Sequence, residues 1–358
     1  MNSENPVRFA YVGCGFVGQS VHIPNFASLP DCDFQAIAEP RGDLGQSVAR
    51  RYNIAKVYAS HLEICADDEI EAVGVSAPYT IQARVAEDLL AAGKHVFMEK
   101  PMAVSVARAQ EMVAASQRGK GRLMVGYMKR YDKGNVRLKE LLDQWRASGE
   151  AGDLIYARNH GFCGADWTYG RDPNVPFETS ADAAPPAPDD CPEWIHENKR
   201  NSYLSYLQQW THNVNLLRYF LGDDGGKTFV KSVQLDCDGM TGLVVLEING
   251  TRAIVESAGT QAHGWEEHTQ VYFRGGWLKT GAPALLQKEN PASLEIYRAA
   301  QGEILPQLTH EFAPPSWAFR EEAKHFLSCI RSGKTFRSSA EDTLNDVQIF
   351  EEIYRYVV

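Results

Sequence analysis

The residues with the clearest chemical potential lie near the N-terminus, in the segment GCGFVG, which has the spacing G-x-G-x-x-G. The first glycine of such a segment permits a tight turn. The second lets a pyrophosphate approach the backbone, and the third lets a helix pack closely on a strand. The spacing is weak evidence alone, but an apolar run precedes it and a helical stretch follows, which favours a dinucleotide site over a plain strand–turn–helix. The residues assigned to the cofactor here are Gly13, Gly15, Phe16, Val17 and Gly18.

An acidic residue, Glu39, follows 21 positions after Gly18, at the end of the second apolar run. A carboxylate at this place accepts hydrogen bonds from a ribose diol and repels a 2′-phosphate. We therefore expect NAD as the cofactor. NADP stays open as the alternative, because Arg41 is close enough in sequence to hold a 2′-phosphate.

The elements that must position this site alternate between two kinds. Apolar runs suited to buried strands cover 7–12, 34–38, 70–77 and 95–99, and helix-like stretches cover 17–29, 43–53, 61–67 and 80–93. This alternation is typical of βαβ units around a parallel sheet. A further helix over 104–118 leads to a strand over 122–126, which completes a Rossmann domain over residues 1–127.

The pattern changes after residue 127. Helices are predicted over 133–147 and 202–221, a strand over 153–162, and an irregular proline-rich segment over 163–200. Adjoining strands follow over 229–238, 242–249, 251–258 and 268–274. Asn249-Gly250 separates two of these and is a strong hairpin signal, so we expect an antiparallel sheet. Two helices over 316–332 and 339–356 end this second domain, residues 128–358.

Composition excludes several classes of protein. A net charge of −10 over 358 residues argues against nucleic acid as a partner. The seven cysteines are scattered without a CxxC pair, which is typical of a reduced, intracellular chain. With no signal region and no long apolar stretch, we expect a cytoplasmic protein that does not bind membranes. The histidines lack metal-ligand spacing, so no metal is expected, and no GxSxG motif occurs.

The segment GKHVFMEKP at 93–101 resembles the EKP signature of the Gfo/Idh/MocA oxidoreductases. GCGFVG, GYMKRY at 126–131, the helix carrying His212 and the C-terminal run at 325–354 are also similar to that family. The resemblance implies a Rossmann domain followed by an α/β domain with a large open, mainly antiparallel sheet. It further implies a homodimer or homotetramer joined through the sheet of residues 229–280, with the C-terminal helices packed back on the first domain.

The resemblance also implies a catalytic role for Lys100, beside the nicotinamide and the reacting carbon. A lysine there could donate a hydrogen bond to a developing carbonyl oxygen. Without the resemblance, a surface lysine after a strand is the better interpretation of Lys100. Pro78 and Glu99 join the cofactor-binding candidates. Two nearby positions depart from the family pattern, with Tyr79 where many relatives have Asn and Gln82 where they have His.

His212 is the second catalytic candidate. Family members commonly carry D-x-x-x-H-x-x-D on this helix, but here Gln208 and Asn215 flank the histidine, so both carboxylates are amides. These three residues share one helix face with Tyr219. That face either lies in water or lines a pocket for a neutral polyol, whose hydroxyls both donate and accept hydrogen bonds. This face carries no charged residue, and this feature together with the resemblance favours the alternative in which it lines a substrate pocket.

Other substrate-binding candidates leave alternatives open. Lys129 and Arg130 either hold an anionic group or are solvated, and the two alternatives are equally weighted. Trp167 and Tyr169 either pack on the C–H face of a sugar or anchor their segment, and anchoring is favoured. The substrate-binding candidates are Lys129, Gln208, His212, Asn215, Trp167 and Tyr169.

The preferred function is oxidation of a secondary alcohol on a sugar, sugar derivative or cyclitol, with hydride transfer to the nicotinamide. One alternative is a glycosidase that retains NAD and uses transient oxidation. Another is a non-catalytic sensor of cofactor or sugar. Retention of Lys100 and His212 argues against the sensor.

Overall fold

The computed structural model describes residues 5–175, 190–223, 225–260 and 265–357, which form two compact units. The first unit comprises residues 1–127, 171–192 and 319–347, and the second comprises 128–170, 193–318 and 348–358. The chain first passes from one unit to the other between Tyr127 and Met128. The first unit also includes two later segments, 171–192 and 319–347. The predicted division into two continuous domains at residue 127 placed both of these segments in the second domain.

The first unit is built on a six-stranded parallel sheet, as its alternating apolar runs predict. The strand order is β3-β2-β1-β4-β5-β6. The strands are β1 Val7–Val12, β2 Cys32–Ala38, β3 Lys56–Tyr58, β4 Ala72–Val75, β5 His95–Glu99 and β6 Leu123–Gly126. The edge strand β3 was missed because its three residues are only half-buried and show no apolar run.

The connecting helices of this unit begin and end close to the predicted positions. A π-helical turn at Gly18–His22 leads into the helix α1 Ile23–Ala27, and then come α2 Gly42–Tyr52, α3 His61–Cys65, α4 Gln82–Ala91 and α5 Val106–Arg118. Local chemistry sets several of these boundaries. Ser60 forms a capping box with Glu63 at the start of α3, and Asn53 ends α2 in the left-handed region at φ 55°.

The second unit contains an eight-stranded sheet of order β14-β13-β12-β11-β7-β10-β9-β8. Its strands are β7 Leu154–Cys163, β8 Thr228–Leu235, β9 Gly242–Ile248, β10 Thr251–Gly259, β11 Glu266–Phe273, β12 Gly276–Ala282, β13 Ser293–Arg298 and β14 Gln307–Glu311. Among the described strands of this sheet, only β7 and β10 pair in parallel, so the prediction of a mainly antiparallel sheet is confirmed. Asn249 and Gly250, both at positive φ, form the hairpin turn between β9 and β10.

Two long helices, α6 Lys133–Ser148 and α7 Glu197–Leu221, belong to the same unit. Alternation along β7 separates the two faces of the sheet. Ala157, Asn159 and Gly161 are buried, whereas Tyr156 and His160 are half-exposed. Helix α7 packs on the buried face, and a Cβ at Gly161 would lie 2.5 Å from the Asn213 amide. Glycine at this position therefore lets the helix approach the sheet closely.

The chain continues through two C-terminal helices, α8 Ala318–Ser332 and α9 Ala340–Tyr354. Within the first unit, Ser338 between them accepts a hydrogen bond on its carbonyl oxygen from the Val125 N–H at 2.9 Å. Its hydroxyl donates to the carbonyl oxygen of the same valine at 2.6 Å, so this segment closes the β6 edge. Among the described residues, no helix is long and apolar enough to cross a membrane.

Candidate active site

The glycine-rich turn after β1 has the backbone geometry that a dinucleotide site needs. Gly13 lies at φ +94°, and a Cβ there would be 2.8 Å from the carbonyl oxygen of Ser76. A Cβ on Gly18 would be 2.4 Å from the carbonyl oxygen of Gly13. Both positions therefore exclude larger residues. Gly15, Phe16 and Val17 between them are half-exposed, so their backbone can meet a ligand.

Glu39 lies directly after β2 and beside this turn. Its Oε2 accepts a hydrogen bond from the Cys14 N–H at 2.8 Å, and its Oε1 accepts one from Arg41 Nε at 2.6 Å. Burial alone would raise the pKa of Glu39, but the hydrogen bonds from Arg41 and Cys14 outweigh burial and lower it. The carboxylate is therefore ionised, as ribose recognition requires, and Arg41 already neutralises part of its charge.

The end of β5 carries Glu99 and Lys100, and Gln82 holds the backbone around them. Gln82 is 1% exposed, and its Nε2 donates to the carbonyl oxygens of Glu99 at 2.9 Å and Pro101 at 2.8 Å. These two carbonyls flank Lys100, which is half-buried. The carbonyl of Pro78 accepts from the Gln82 N–H at 3.0 Å. From the sequence, Gln82 is only a departure from the family pattern, whereas in the structure it holds the backbone on both sides of Lys100.

Glu99, predicted to bind the cofactor, directs its carboxylate at the protein. Its Oε1 lies 2.7 Å from His22 Nε2, and its Oε2 accepts from the Lys100 N–H at 3.1 Å. His22 is fully buried. These contacts favour a role for Glu99 in shaping the turn that carries Lys100.

On α7 the three predicted polar residues differ in burial. His212 is 6% exposed and Asn215 is 1% exposed, whereas Gln208 is exposed. The alternative in which the whole stripe faces water is therefore wrong for His212 and Asn215. Thr211 and Arg218 on other faces of the helix are buried too. Residues 210–218 of α7 are all buried, so helical periodicity does not divide this part of the helix into a solvent-exposed and a buried face.

The adjacent cations Lys129 and Arg130 are not solvated, which removes one of their two alternatives. Lys129 is 6% exposed and forms an ion pair with the buried Glu267 of β11. Arg130 is 3% exposed, and its Nε donates to Asn215 Oδ1 at 2.6 Å. The guanidinium of Arg130 also lies 5.6 Å from the ring centre of Tyr219. The charge of Lys129 is therefore balanced within the protein.

A polar network continues from this ion pair toward α7. Asn213 Nδ2 lies 3.4 Å from Glu267 Oε1 and donates to Asn159 Oδ1 at 2.5 Å. Asn159 in turn donates to Thr269 Oγ1 at 2.7 Å. The network places a buried carboxylate close to the residue after His212. Glu267 was not recognised from the sequence because it lies 138 positions from Lys129 and stands beside a second acid, Glu266, at the start of β11.

The aromatic residues of the irregular segment divide between the two alternatives. Tyr169 is 65% exposed, so the favoured prediction that it anchors the segment is wrong for this residue. Trp167 is half-buried. Trp194 does pack, with the guanidinium of Arg355 at 4.4 Å from its ring centre. Much of this segment, residues 176–189, lies outside the described residues.

Comparison with known proteins agrees with this geometry. The sequence model of the Gfo/Idh/MocA family, described as an oxidoreductase family with an NAD-binding Rossmann fold, matches residues 7–127. The inositol 2-dehydrogenase of Salmonella typhimurium is 32% identical, over 92% of this chain and 95% of the relative. The myo-inositol 2-dehydrogenase of Thermotoga maritima is 23% identical, over 94% and 92%.

Two solved structures share the fold of the whole chain. A 3-ketoreductase from Actinomadura kijaniata, solved with NADP and TDP-benzene, has a TM-score of 0.72 at 18% identity and covers 98% of each chain. The apo scyllo-inositol dehydrogenase from Lactobacillus casei has a TM-score of 0.69 at 19% identity, covering 99% of this chain and 96% of its own.

The fold and the glycine-rich turn define a nicotinamide-dependent oxidoreductase. The chain belongs to the Gfo/Idh/MocA family of oxidoreductases. The predictions of an NAD(P) cofactor and of a dehydrogenase acting on CH–OH groups are confirmed at this level.

Proposed function

We propose that this protein oxidises a secondary alcohol of an uncharged cyclitol or sugar and passes the hydride to NAD. Lys100 and His212 are the two groups assigned to the hydroxyl proton. Gln208 and Asn215 are assigned to the substrate or to the orientation of His212. Bound nicotinamide supplies the hydride acceptor, while the protein supplies binding, orientation and proton transfer.

The observation that carries the preference for a neutral substrate is the ion pair between Lys129 and Glu267. A lysine meant for a substrate carboxylate or phosphate would need its charge available, but a buried carboxylate already balances it. Around the pair lie amides, Asn213 and Asn159, which donate and accept hydrogen bonds without charge. These amides are buried and bonded within the protein, so the network holds Glu267 and Lys129 together and leaves Lys129 less available to an anionic substrate. The inositol dehydrogenases among the relatives support a cyclitol.

The preference for NAD rests on Glu39. Its carboxylate is buried, ionised and placed at the glycine-rich turn, where it favours a ribose diol. Arg41 binds that carboxylate, so it is less available to a 2′-phosphate than the sequence alone suggests.

The test is a panel of inositol isomers, neutral sugars, sugar acids, sugar phosphates and glycosides, each with NAD or NADP. Formation of reduced nicotinamide is followed by absorbance. We expect the highest kcat/KM for a neutral cyclitol or sugar with NAD. Preference for an acid or a phosphate would overturn the neutral-substrate assignment. Cleavage of a glycoside without net reduced cofactor would instead identify an NAD-dependent glycosidase.

A matched pair of variants makes this test specific. Lys129→Met removes the cation and leaves Glu267 buried with an unbalanced charge, whereas Lys120→Met changes an exposed lysine. We expect Lys129→Met to lower kcat/KM for the neutral substrate and to give no selective loss for anionic ones. A selective loss for anionic substrates would show that Lys129 binds an anion.

A further inference from the structure

Glu322 of α8 is a buried acid with no role in the function proposed above. It is fully buried, and neither of its carboxylate oxygens has a hydrogen-bond partner among the described residues. An ionised carboxylate in such a place is strongly disfavoured, because nothing replaces the hydration that it loses on burial. Burial, followed by the charge of Glu99, raises the pKa of Glu322 well above its ordinary range.

The groups that face Glu322 come from three other elements. The nearest are His22, from the π-helical turn, and Glu99, from β5. One ring nitrogen of His22, one carboxylate oxygen of Glu99 and one of Glu322 all lie within 4.8 Å of one another. Tyr11 of β1 stacks on His22 with ring centres 5.9 Å apart. Phe97 packs edge-on against His22 at 5.1 Å. The two carboxyl groups therefore share an enclosure with aromatic walls.

The surroundings of the two acids decide which of them holds a proton. Two carboxylates this close disfavour each other's ionisation, and Glu322 is the more deeply buried of the two. Glu99 accepts the Lys100 N–H at 3.1 Å and lies 2.7 Å from His22 Nε2, so both of its carboxylate oxygens already have partners. Glu322 has no comparable donor. A proton on Glu322 removes its uncompensated charge and gives it a hydroxyl that is able to donate toward Glu99.

We propose that Glu322 shares its proton with Glu99 and thereby acts as a positioning residue for Lys100. Glu99 is then held from one side by His22 and from another by Glu322, while its Oε2 fixes the Lys100 N–H. A residue on a C-terminal helix thus helps to set the geometry of the turn that carries the lysine. The inference rests on the proposed function only for the role of Lys100.

The first experiment measures stability, which needs no substrate. A group with a raised pKa in the folded state contributes stability that is fully present below its unfolded pKa and is lost as pH rises toward the folded value. Wild-type protein should therefore lose this contribution above the ordinary glutamate value of 4.5. E322Q keeps a neutral donor and cannot titrate. Its Tm relative to wild type should rise between about pH 5 and about pH 8.

The control is E321Q, which makes the same change one position earlier on α8. Glu321 forms an ion pair with Lys324 at 2.7 Å and lies outside the enclosure. Its Tm difference from wild type should vary little over the same pH range. If the E322Q difference is constant with pH, Glu322 is ionised or titrates normally in the folded protein, and the proposal is wrong.

The second experiment tests the link to Lys100. E322A removes the donor, and we expect its kcat to fall about tenfold while the KM for the cofactor changes little, as for a displaced reacting group. E322Q should recover most of that loss, and it should lack any alkaline decline that wild type shows as Glu322 ionises. Equal kcat losses in E322Q and E322A would contradict proton sharing. If no substrate is ever reduced or oxidised, the Tm result still decides the protonation of Glu322.

The remaining outcome concerns a metal ion, because a histidine and two carboxylates could also bind a divalent cation. Purified wild-type protein is incubated with Zn²⁺, desalted and analysed for metal alongside E322Q. We expect the same metal content in both. One equivalent of Zn²⁺ in wild type that is absent from E322Q would overturn the shared proton in favour of a metal site.

Discussion

The guanidinium of Arg41 donates to both carboxylate oxygens of Glu39, through Nε at 2.6 Å and Nη2 at 3.1 Å. Each residue of the pair would favour a different cofactor if it acted alone, and their pairing makes the preference depend on both. Glu39 is buried, whereas the Arg41 side chain is 50% exposed. The carboxylate is therefore the buried member of the pair, and the guanidinium is the member that solvent can reach.

The first prediction concerns cofactor choice. Wild-type protein should bind NAD more tightly than NADP, because an ionised Glu39 repels a 2′-phosphate. Glu39→Ala should reduce the ratio of the NADP Kd to the NAD Kd by about tenfold, which corresponds to the loss of one charge-assisted hydrogen bond. Arg41→Ala should weaken NADP more than NAD. Calorimetric titration with both cofactors measures this, and tighter binding of NADP to wild type would refute the assignment.

The second prediction concerns Lys100. Its replacement by Ala should lower kcat by ~10²–10⁴, the usual contribution of a positioned proton-transfer group. Cofactor affinity should change far less. Lys120→Ala, at an exposed position, is the control. Turnover near that of wild type in the Lys100 variant would remove this residue from the mechanism.

The third prediction concerns Gln82, which donates to the carbonyls on both sides of Lys100. Gln82→Ala leaves two carbonyls without their donor and frees the turn, so kcat should fall about tenfold or more through loss of alignment. Gln110→Ala removes an exposed glutamine on α5 and should have no such effect. If both variants have the same kcat, the turn that carries Lys100 does not depend on the two hydrogen bonds from Gln82.

The fourth prediction concerns Gln208, at the position where relatives commonly carry a carboxylate. If Gln208 orients His212, Gln208→Asp should raise the imidazole pKa by favouring the charged ring. The acidic limb of the pH–rate profile for alcohol oxidation should then move upward, because the base must lose its proton before it acts. Asn201→Asp adds the same charge at an exposed position on α7. A rise in KM without a moved limb would show that Gln208 contacts the substrate. If neither changes, residue 208 does not face the site.

The fifth prediction concerns assembly. One face of the large sheet carries half-exposed apolar and aromatic side chains, among them Val245, Ile254 and Tyr272. We expect a homodimer or homotetramer that covers this face. Ile254→Glu should dissociate it in light-scattering measurements, whereas Leu62→Glu on α3, 57% exposed, should not. A monomeric wild-type protein at micromolar concentrations would contradict the prediction.

Much of the local structure was accessible from the sequence by itself. The apolar runs determined five of the six parallel strands, all except the edge strand β3, since a buried strand needs apolar side chains on both faces. The glycine spacing determined the turn after β1, because only glycine tolerates φ +94° and the 2.8 Å approach to Ser76. The Asn249-Gly250 turn determined a hairpin for the same backbone reason.

Tertiary structure decided how the candidate residues are partnered. Glu322 meets Glu99, Glu267 meets Lys129 and Gln82 meets Pro101 only after folding, because each pair joins different elements. Periodicity along one helix reports which residues share a face, but not what is packed against that face. For that reason the sequence suggested solvated or anion-binding roles for Lys129, whereas the folded chain buries it with a carboxylate from a distant strand.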